Sequence, residues 1–426
     1  MDARSARLFS QRPVVSKTDK LAVAQTVRRR RYAAKDCSQA LSQGHASDLP
    51  SGTDEEEMTR THIEYDLSFA TPAFVGDAAQ QAQWRTPPLK ALIRQWWRVV
   101  KAPQVGFSVD GPDGLRAAEN ILFGSASDNK SHQSLVRLRL KEWAVGHLAN
   151  SAWPRQEINK ISLGKPGPGI RADLYLGFGP VAPESRGKGI AEHVRLAIDP
   201  QKQRNELSVL FARTVTGSQI DEVRQAIRLA SWFGGIGSRS RNGWGSITFQ
   251  GDAIPRLPPS PNDLTAYCQP FRGCFTTDRD WPHAIGKDDL GPLVWVGKKD
   301  GATFRNWREA VFFLATLRRD IRAAAKHFGR NEDISANQLI AYPVTKANNR
   351  RWGNDERIAG SLRLKVVETG QGLVPVAVHL PCAVPRGLFD KLSSNDQQWI
   401  NRHQIEIWGA VHQDIDQKMN RLGAAK

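Results

Sequence analysis

The sequence predicts an α+β protein built as two compact sandwiches of strands and helices. Three observations carry that expectation. A chain of 426 residues exceeds what one ordinary core holds, so two domains are expected. Each half interleaves strand-period stretches with two substantial amphipathic helices. Between the halves, residues 255–261 are proline-rich, with Pro258-Pro259 inside them, and read as a linker. The expected division is a basic, flexible N-terminal extension at 1–60, a first domain at 61–254, the linker at 255–263 and a second domain at 264–426.

Composition narrows the function. Lys plus Arg number 60 against 43 Asp plus Glu, a formal charge of +17 with a pI near 10.0. Such an excess favours a polyanionic partner, most often nucleic acid. Cys37, Cys268, Cys274 and Cys382 are too few and too scattered for a disulfide framework, and no second ligand pair stands at zinc spacing. A reducing cytoplasm fits, and neither metal nor cofactor is expected. No apolar run reaches transmembrane length and residues 1–13 lack an apolar signal segment, so no membrane partner is expected.

In chain order, the extension carries the run Arg28-Arg29-Arg30-Arg31 and then the reversing Asp54-Glu55-Glu56-Glu57. Residues 62–69 alternate polar and apolar, the period of a half-buried strand. Residues 86–100 open on Pro87-Pro88 and repeat Leu89, Leu92, Ile93, Trp96, Trp97 and Val100 at spacings of three and four, which predicts an amphipathic helix. Lys90, Arg94 and Arg98 fall four apart on another part of it. A charged row is often only a solvated face, but three cations repel one another and favour an anionic ligand.

A short helix is expected over 115–123, and strands over 134–143, 171–178 and 206–213. Ser218 and Asp221 have capping-box spacing and start a helix that runs to about Phe233, with Ile220, Val223, Ile227 and Ala230 inward. In the second half, residues 290–296 read as a strand. Residues 304–328 read as a long helix with Trp307, Val311, Leu314 and Ile321 inward. Arg318, Arg319, Arg322 and Lys326 gather towards its end, where the helix dipole also favours them. Strands at 361–367 and 373–380 flank a hairpin turn at 369–372, and a helix at 394–422 closes the chain.

The stretch richest in chemistry follows the helix that ends near Phe233. It reads Gly235-Ile236-Gly237-Ser238-Arg239-Ser240-Arg241-Asn242-Gly243-Trp244-Gly245. Its glycines permit positive φ and close backbone approach. Serine hydroxyls and exposed amides donate to phosphate oxygens, and Arg239 and Arg241 can pair with them in a bidentate fork. A helix cap and tight turn would need neither arginine. Trp244 is the candidate platform for a stacked base, or else a plug behind the loop.

These residues resemble the RAMP superfamily. Thr71-Pro72-Ala73-Phe74-Val75-Gly76 together with residues 87–98 resembles the N-terminal signature of the first-named subunit of the Cmr complex, the type III-B CRISPR effector. Asn120-Ile121-Leu122-Phe123-Gly124-Ser125 is similar to the segment that follows in that family. Gly235-Ile236-Gly237 and Gly243-Trp244-Gly245 are similar to the superfamily's glycine-rich loop, and residues 357–366 resemble its C-terminal half. The resemblance implies two tandem ferredoxin-like (RRM-like) domains in a non-catalytic subunit. Its partners would be crRNA, target RNA and other RAMP or Cmr subunits. The implied RNA-binding residues are Lys90, Arg94 and Arg98 on the first helix and Gly235, Gly237, Ser238, Arg239, Ser240, Arg241, Gly243, Trp244 and Gly245 in the loop. The extension before Thr61 departs from the family pattern.

Catalysis is not expected. Some RAMP proteins process crRNA without metal through a histidine, and a processing endoribonuclease is the alternative reading. His62, His132, His147 and His193 qualify by residue type alone. No P-loop, HExxH or Gly-x-Ser-x-Gly motif is present. A scaffold that binds only protein neighbours is the third reading.

Overall fold

A computed structural model describes residues 62–77, 81–126, 131–164, 167–183, 192–251, 259–276, 280–342, 349–353, 356–358 and 360–423. The arginine-rich extension, Cys37 and residues 255–258 of the proline linker lie outside them.

In the first half, β1 (His62–Phe69) leads to α1 (Thr86–Lys101), α2 (Leu115–Phe123) and β2 (Val136–Leu140). A short helix α3 (Ala172–Gly177) precedes β3 (Asn205–Phe211), α4 (Gly217–Phe233) and β4 (Ile247–Gln250). Prolines at the first turn of α1 cost no hydrogen bond, and its six expected apolar residues are all buried. The sheet runs β2-β3-β1-β4 and is antiparallel throughout. Helices α1 and α4 lie together, joined by Glu222, which is 4% exposed. Its carboxylate accepts from Trp97 Nε1 at 3.0 Å and Lys101 Nζ at 2.8 Å, so the buried charge is answered.

The second half repeats this plan. It comprises β5 (Val294–Lys298), α5 (Trp307–Lys326), β6 (Leu362–Thr369), β7 (Gly372–His379), α6 (Ser394–Lys418) and β8 (Met419–Arg421). Its sheet runs β6-β7-β5-β8, again antiparallel. In both halves the first strand lies between the third and the fourth. One helix follows the first strand and another follows the third. The described residues form one compact unit.

Three local expectations need correction. Residues 172–177 form a helix, because Ala172, Asp173, Leu176 and Gly177 bury one side at helical spacing. Its first turn is pinned by Asp173, 0% exposed, whose carboxylate accepts from Trp153 Nε1 at 2.8 Å and from Arg171. The capping box of α4 is Thr216 with Gln219, not Ser218 with Asp221. Thr216 Oγ1 accepts from Gln219 N at 3.3 Å and Gln219 Oε1 from Thr216 N at 3.0 Å. The last helix stops at Lys418, because the next residues leave it to pair with β5 as an edge strand.

Candidate nucleic-acid interface

The glycine loop is folded against the segment that follows β1. Ser238 N donates to Phe74 O at 2.9 Å, Gly245 N to Pro72 O at 2.9 Å, and Ile236 N to Gly245 O at 3.0 Å. Thr71 Oγ1 donates to Gly243 O at 2.7 Å and accepts from Ser246 N at 3.1 Å. Two glycines are sterically required at this crossing. Gly245 has φ +57°, and an added Cβ would lie 2.0 Å from Ile236 O; at Gly237, φ +88°, it would lie 2.6 Å from Phe74 O. The pairing of residues 71–76 with the loop, visible as two sequence motifs, is thus a packing relationship.

That packing changes what the loop can offer a ligand. Inside it, the amides of Ser240, Asn242 and Gly243 donate to the carbonyls of Gly237, Arg239 and Ser240. With Ser238 and Gly245 also engaged, these amides do not cradle phosphate. Trp244 is 0% exposed, so it is the plug and not a stacking platform. Its ring meets Phe74 at 5.3 Å, Trp153 at 5.8 Å and Trp307 of α5 at 6.0 Å, where the two halves share a core.

What remains for a ligand is arginine, and the two loop arginines go to different places. Arg239 stands at the exposed tip with φ +60°, and its Nε donates to Phe178 O at 2.7 Å. Beside it are Arg318 and Arg322 of α5. Burial and then the charge of Arg322 lower the Arg239 pKa. Arg318 is pushed down to about 9 by burial, then by Arg322, and less by Arg239. Among the described residues none of the three forms an ion pair with a carboxylate; Arg322 repels Arg239 and Arg318, and Tyr175 offsets part of the cost at Arg318 and Arg322. Phe178, 51% exposed, stands next to Arg239. Arg319 is different, because it pairs with Asp320 at 2.7 Å.

Arg241 is turned inward. Its carbonyl accepts from Leu364 N on β6 at 3.0 Å, and its side chain lines a cavity with Arg98 and Arg363.

The basic row on α1 is mostly answered within the protein. Glu119 of α2, 1% exposed, accepts from Arg94 Nε at 2.6 Å and from Arg98 Nε and Nη2 at 2.6 and 2.9 Å. The anionic partner expected for this row is therefore Glu119. Lys90 is half-buried, and burial followed by Arg94 lowers its pKa.

Of the histidines, His62 lies on β1 beside Glu64, and His132, His147 and His193 are exposed on other segments. The sequence reading missed the buried pair His379 and His412, whose Nδ1 and Nε2 lie 2.9 Å apart, with Ser361 Oγ 3.0 Å from His379 Nε2. It also missed Arg363 and Trp281. Among the described residues no three His, Cys, Asp or Glu side chains gather as metal ligands, and no helix is long and apolar enough to cross a membrane.

Residues 66–248, which hold the first sheet and the glycine loop, match the family model of the RAMP superfamily. Among solved structures, the chain is similar to Cmr1 from Pyrococcus furiosus in its apo form, at 16% identity and TM-score 0.38 over 76% of this chain and 88% of that one. It is also similar to a chain of the Type III-B Cmr-beta complex bound to cognate target RNA, at 12% identity and TM-score 0.39 over 82% and 99%. A chain of a Type IV-B CRISPR complex matches at 12% identity and TM-score 0.28 over 48% and 99%. No curated protein matches the chain.

Proposed function

We propose that this chain is a non-catalytic, RNA-binding subunit of a type III CRISPR effector, acting in the cytoplasm beside other RAMP or Cmr subunits on crRNA or target RNA. The RAMP-superfamily match and the resemblance to the first-named Cmr subunit support that assignment. The sheet orders β2-β3-β1-β4 and β6-β7-β5-β8, with helices after the first and third strands, support reading each half as ferredoxin-like.

The observation that carries RNA contact is the group Arg239, Arg318 and Arg322, cationic and without described carboxylate partners. A phosphodiester backbone supplies the missing negative charge, and guanidinium forks match phosphate oxygens. Phe178 at the rim offers a face on which a base can stack. The glycine loop acts here by fixing Arg239 at its tip.

The test is binding of labelled single-stranded RNA across a salt series, with cleavage read on the same samples. Arg239→Ala/Arg322→Ala removes two phosphate contacts and flattens the slope of log affinity against log salt by about 1.4. An unchanged slope removes RNA from this surface. Specific cleavage of a repeat-containing RNA without metal places the chain among the crRNA-processing endoribonucleases instead.

A further inference from the structure

The second loop arginine points to a second ligand. A cavity of about 260 Å³ lies between the two halves, walled by Arg98, Arg241, Arg357 and Arg363 and by the rings of Phe275 and Trp281. Arg363 is 6% exposed, and its Nε has no hydrogen-bond partner. Arg241 forms no ion pair with a described carboxylate. An unpaired buried guanidinium is costly, and two together are costlier.

The Trp96 ring, 5.9 Å from the Arg363 guanidinium, repays part of that cost, and no carboxylate on the described wall repays the rest. Asp280, the only carboxylate among the described lining residues, is already engaged: it faces Arg116 at 3.7 Å and accepts from Arg386 N at 3.3 Å. Burial pushes the Cys382 thiol up to about 12, so it stays uncharged. Two of Arg98's nitrogens are taken by Glu119, and its guanidinium lies over the Trp281 ring at 3.6 Å. That contact fixes Trp281 as one wall.

We infer that this cavity binds a phosphate group carried on a ligand no larger than one nucleotide, held by Arg241 and Arg363. The volume admits a phosphate with a sugar and one base, but not a strand. Doubly negative phosphate matches two adjacent guanidiniums, and the apolar wall of Phe275 and Trp281 suits a planar base. This site is separate from the Arg239 surface, and its existence does not depend on the RNA reading.

The test uses thermal unfolding of the full chain with inorganic phosphate, adenosine 5′-monophosphate or adenosine, each at matched ionic strength. Phosphate and the monophosphate raise Tm by several degrees at millimolar concentration, the monophosphate by more, and adenosine does not. In Arg363→Met the shift disappears. Because that variant removes an unpaired buried charge, it is at least as stable as wild type in phosphate-free buffer, which a merely structural arginine would not allow. Arg241→Gln loses the same shift if the first variant fails to fold. A 5′-phosphorylated RNA that binds about tenfold tighter than its 5′-hydroxyl counterpart in wild type only assigns the ligand to an RNA end. Equal binding of the two, with the monophosphate shift intact, assigns it to a free nucleotide. Absence of any shift with phosphate and monophosphate, or an equal shift in Arg363→Met, overturns the site.

Discussion

Lys365 of β6 donates from Nζ to the carbonyl of Ser231, in the last turn of α4, at 2.5 Å. The same ammonium reaches Ala230 O at 3.1 Å and Ile247 O at 2.6 Å. Its three donors therefore meet three carbonyls, at the negative end of the helix that delivers the chain to the glycine loop. The second half of the protein thus holds the loop's entry and exit from behind, while Leu364 N holds Arg241 O.

Lys365→Met keeps the volume of the stem and deletes the donor. Carbonyls of Ala230, Ser231 and Ile247 lose that partner in a region where Lys365 itself is 2% exposed. We expect a loss of about 3 kcal/mol in chemical denaturation, together with weaker RNA binding. A loss under about 0.5 kcal/mol would mean that the halves are held together elsewhere.

Glu119→Gln removes the charge that Arg94 and Arg98 share. Because the carboxylate is 1% exposed, the expected loss is about 2–4 kcal/mol, and Arg94→Ala alone costs about 1 kcal/mol since Arg98 keeps its partner. A double-mutant cycle measures the coupling, and additive losses would contradict the shared-carboxylate arrangement.

The buried histidines predict acid sensitivity. Burial, then the neighbouring His412, holds the His379 pKa well below 6.5, and burial, then Arg421, lowers that of His412 to about 3. Between these limits the unfolded chain takes up protons that the folded chain refuses. Their contribution is complete above about pH 6.5 and is lost as pH falls toward about 3. Stability should fall by up to about 1.4 kcal/mol per pH unit for each histidine. Denaturant titrations in that range should show a shallower fall for His412→Gln; a slope equal to wild type would remove His412 from the account.

Gly245→Ala should cost at least about 2 kcal/mol, since its φ is positive and the new Cβ meets a backbone carbonyl. Gly235→Ala should cost less. Its φ is outside the left-handed region and its nearest neighbour would be Gly245 O at 3.1 Å. Equal losses would show that the loop does not keep this crossing in solution.

Elements with a strong one-sided period were legible in the sequence. β1 and α2 fall on the residues their patterns mark, and α1 extends only to Lys101. The short α3 was not legible, because six residues give a helical period too little length to separate from alternation. In β6, Arg363 and Lys365 look like the solvent side of an alternating strand, yet residues 362–367 are buried on both faces because the other half covers the second one. The neutralising of Arg94 and Arg98 by Glu119 is a contact between elements more than twenty residues apart, and no local pattern encodes it. The loop stands out by composition, and its two arginines are legible as residues, but where each one points is not. Their separation into an outer and an inner site depends on the fold of both halves.

The proposed RNA contact places the available charge at Arg239 and its α5 neighbours rather than along α1. The most direct measurement is the salt dependence of single-stranded RNA affinity for Arg239→Ala and Arg94→Ala beside wild type. Loss of one phosphate contact in Arg239→Ala should flatten the slope by about 0.7, while Arg94→Ala leaves it unchanged. A flatter slope for Arg94→Ala with no change for Arg239→Ala would contradict the account.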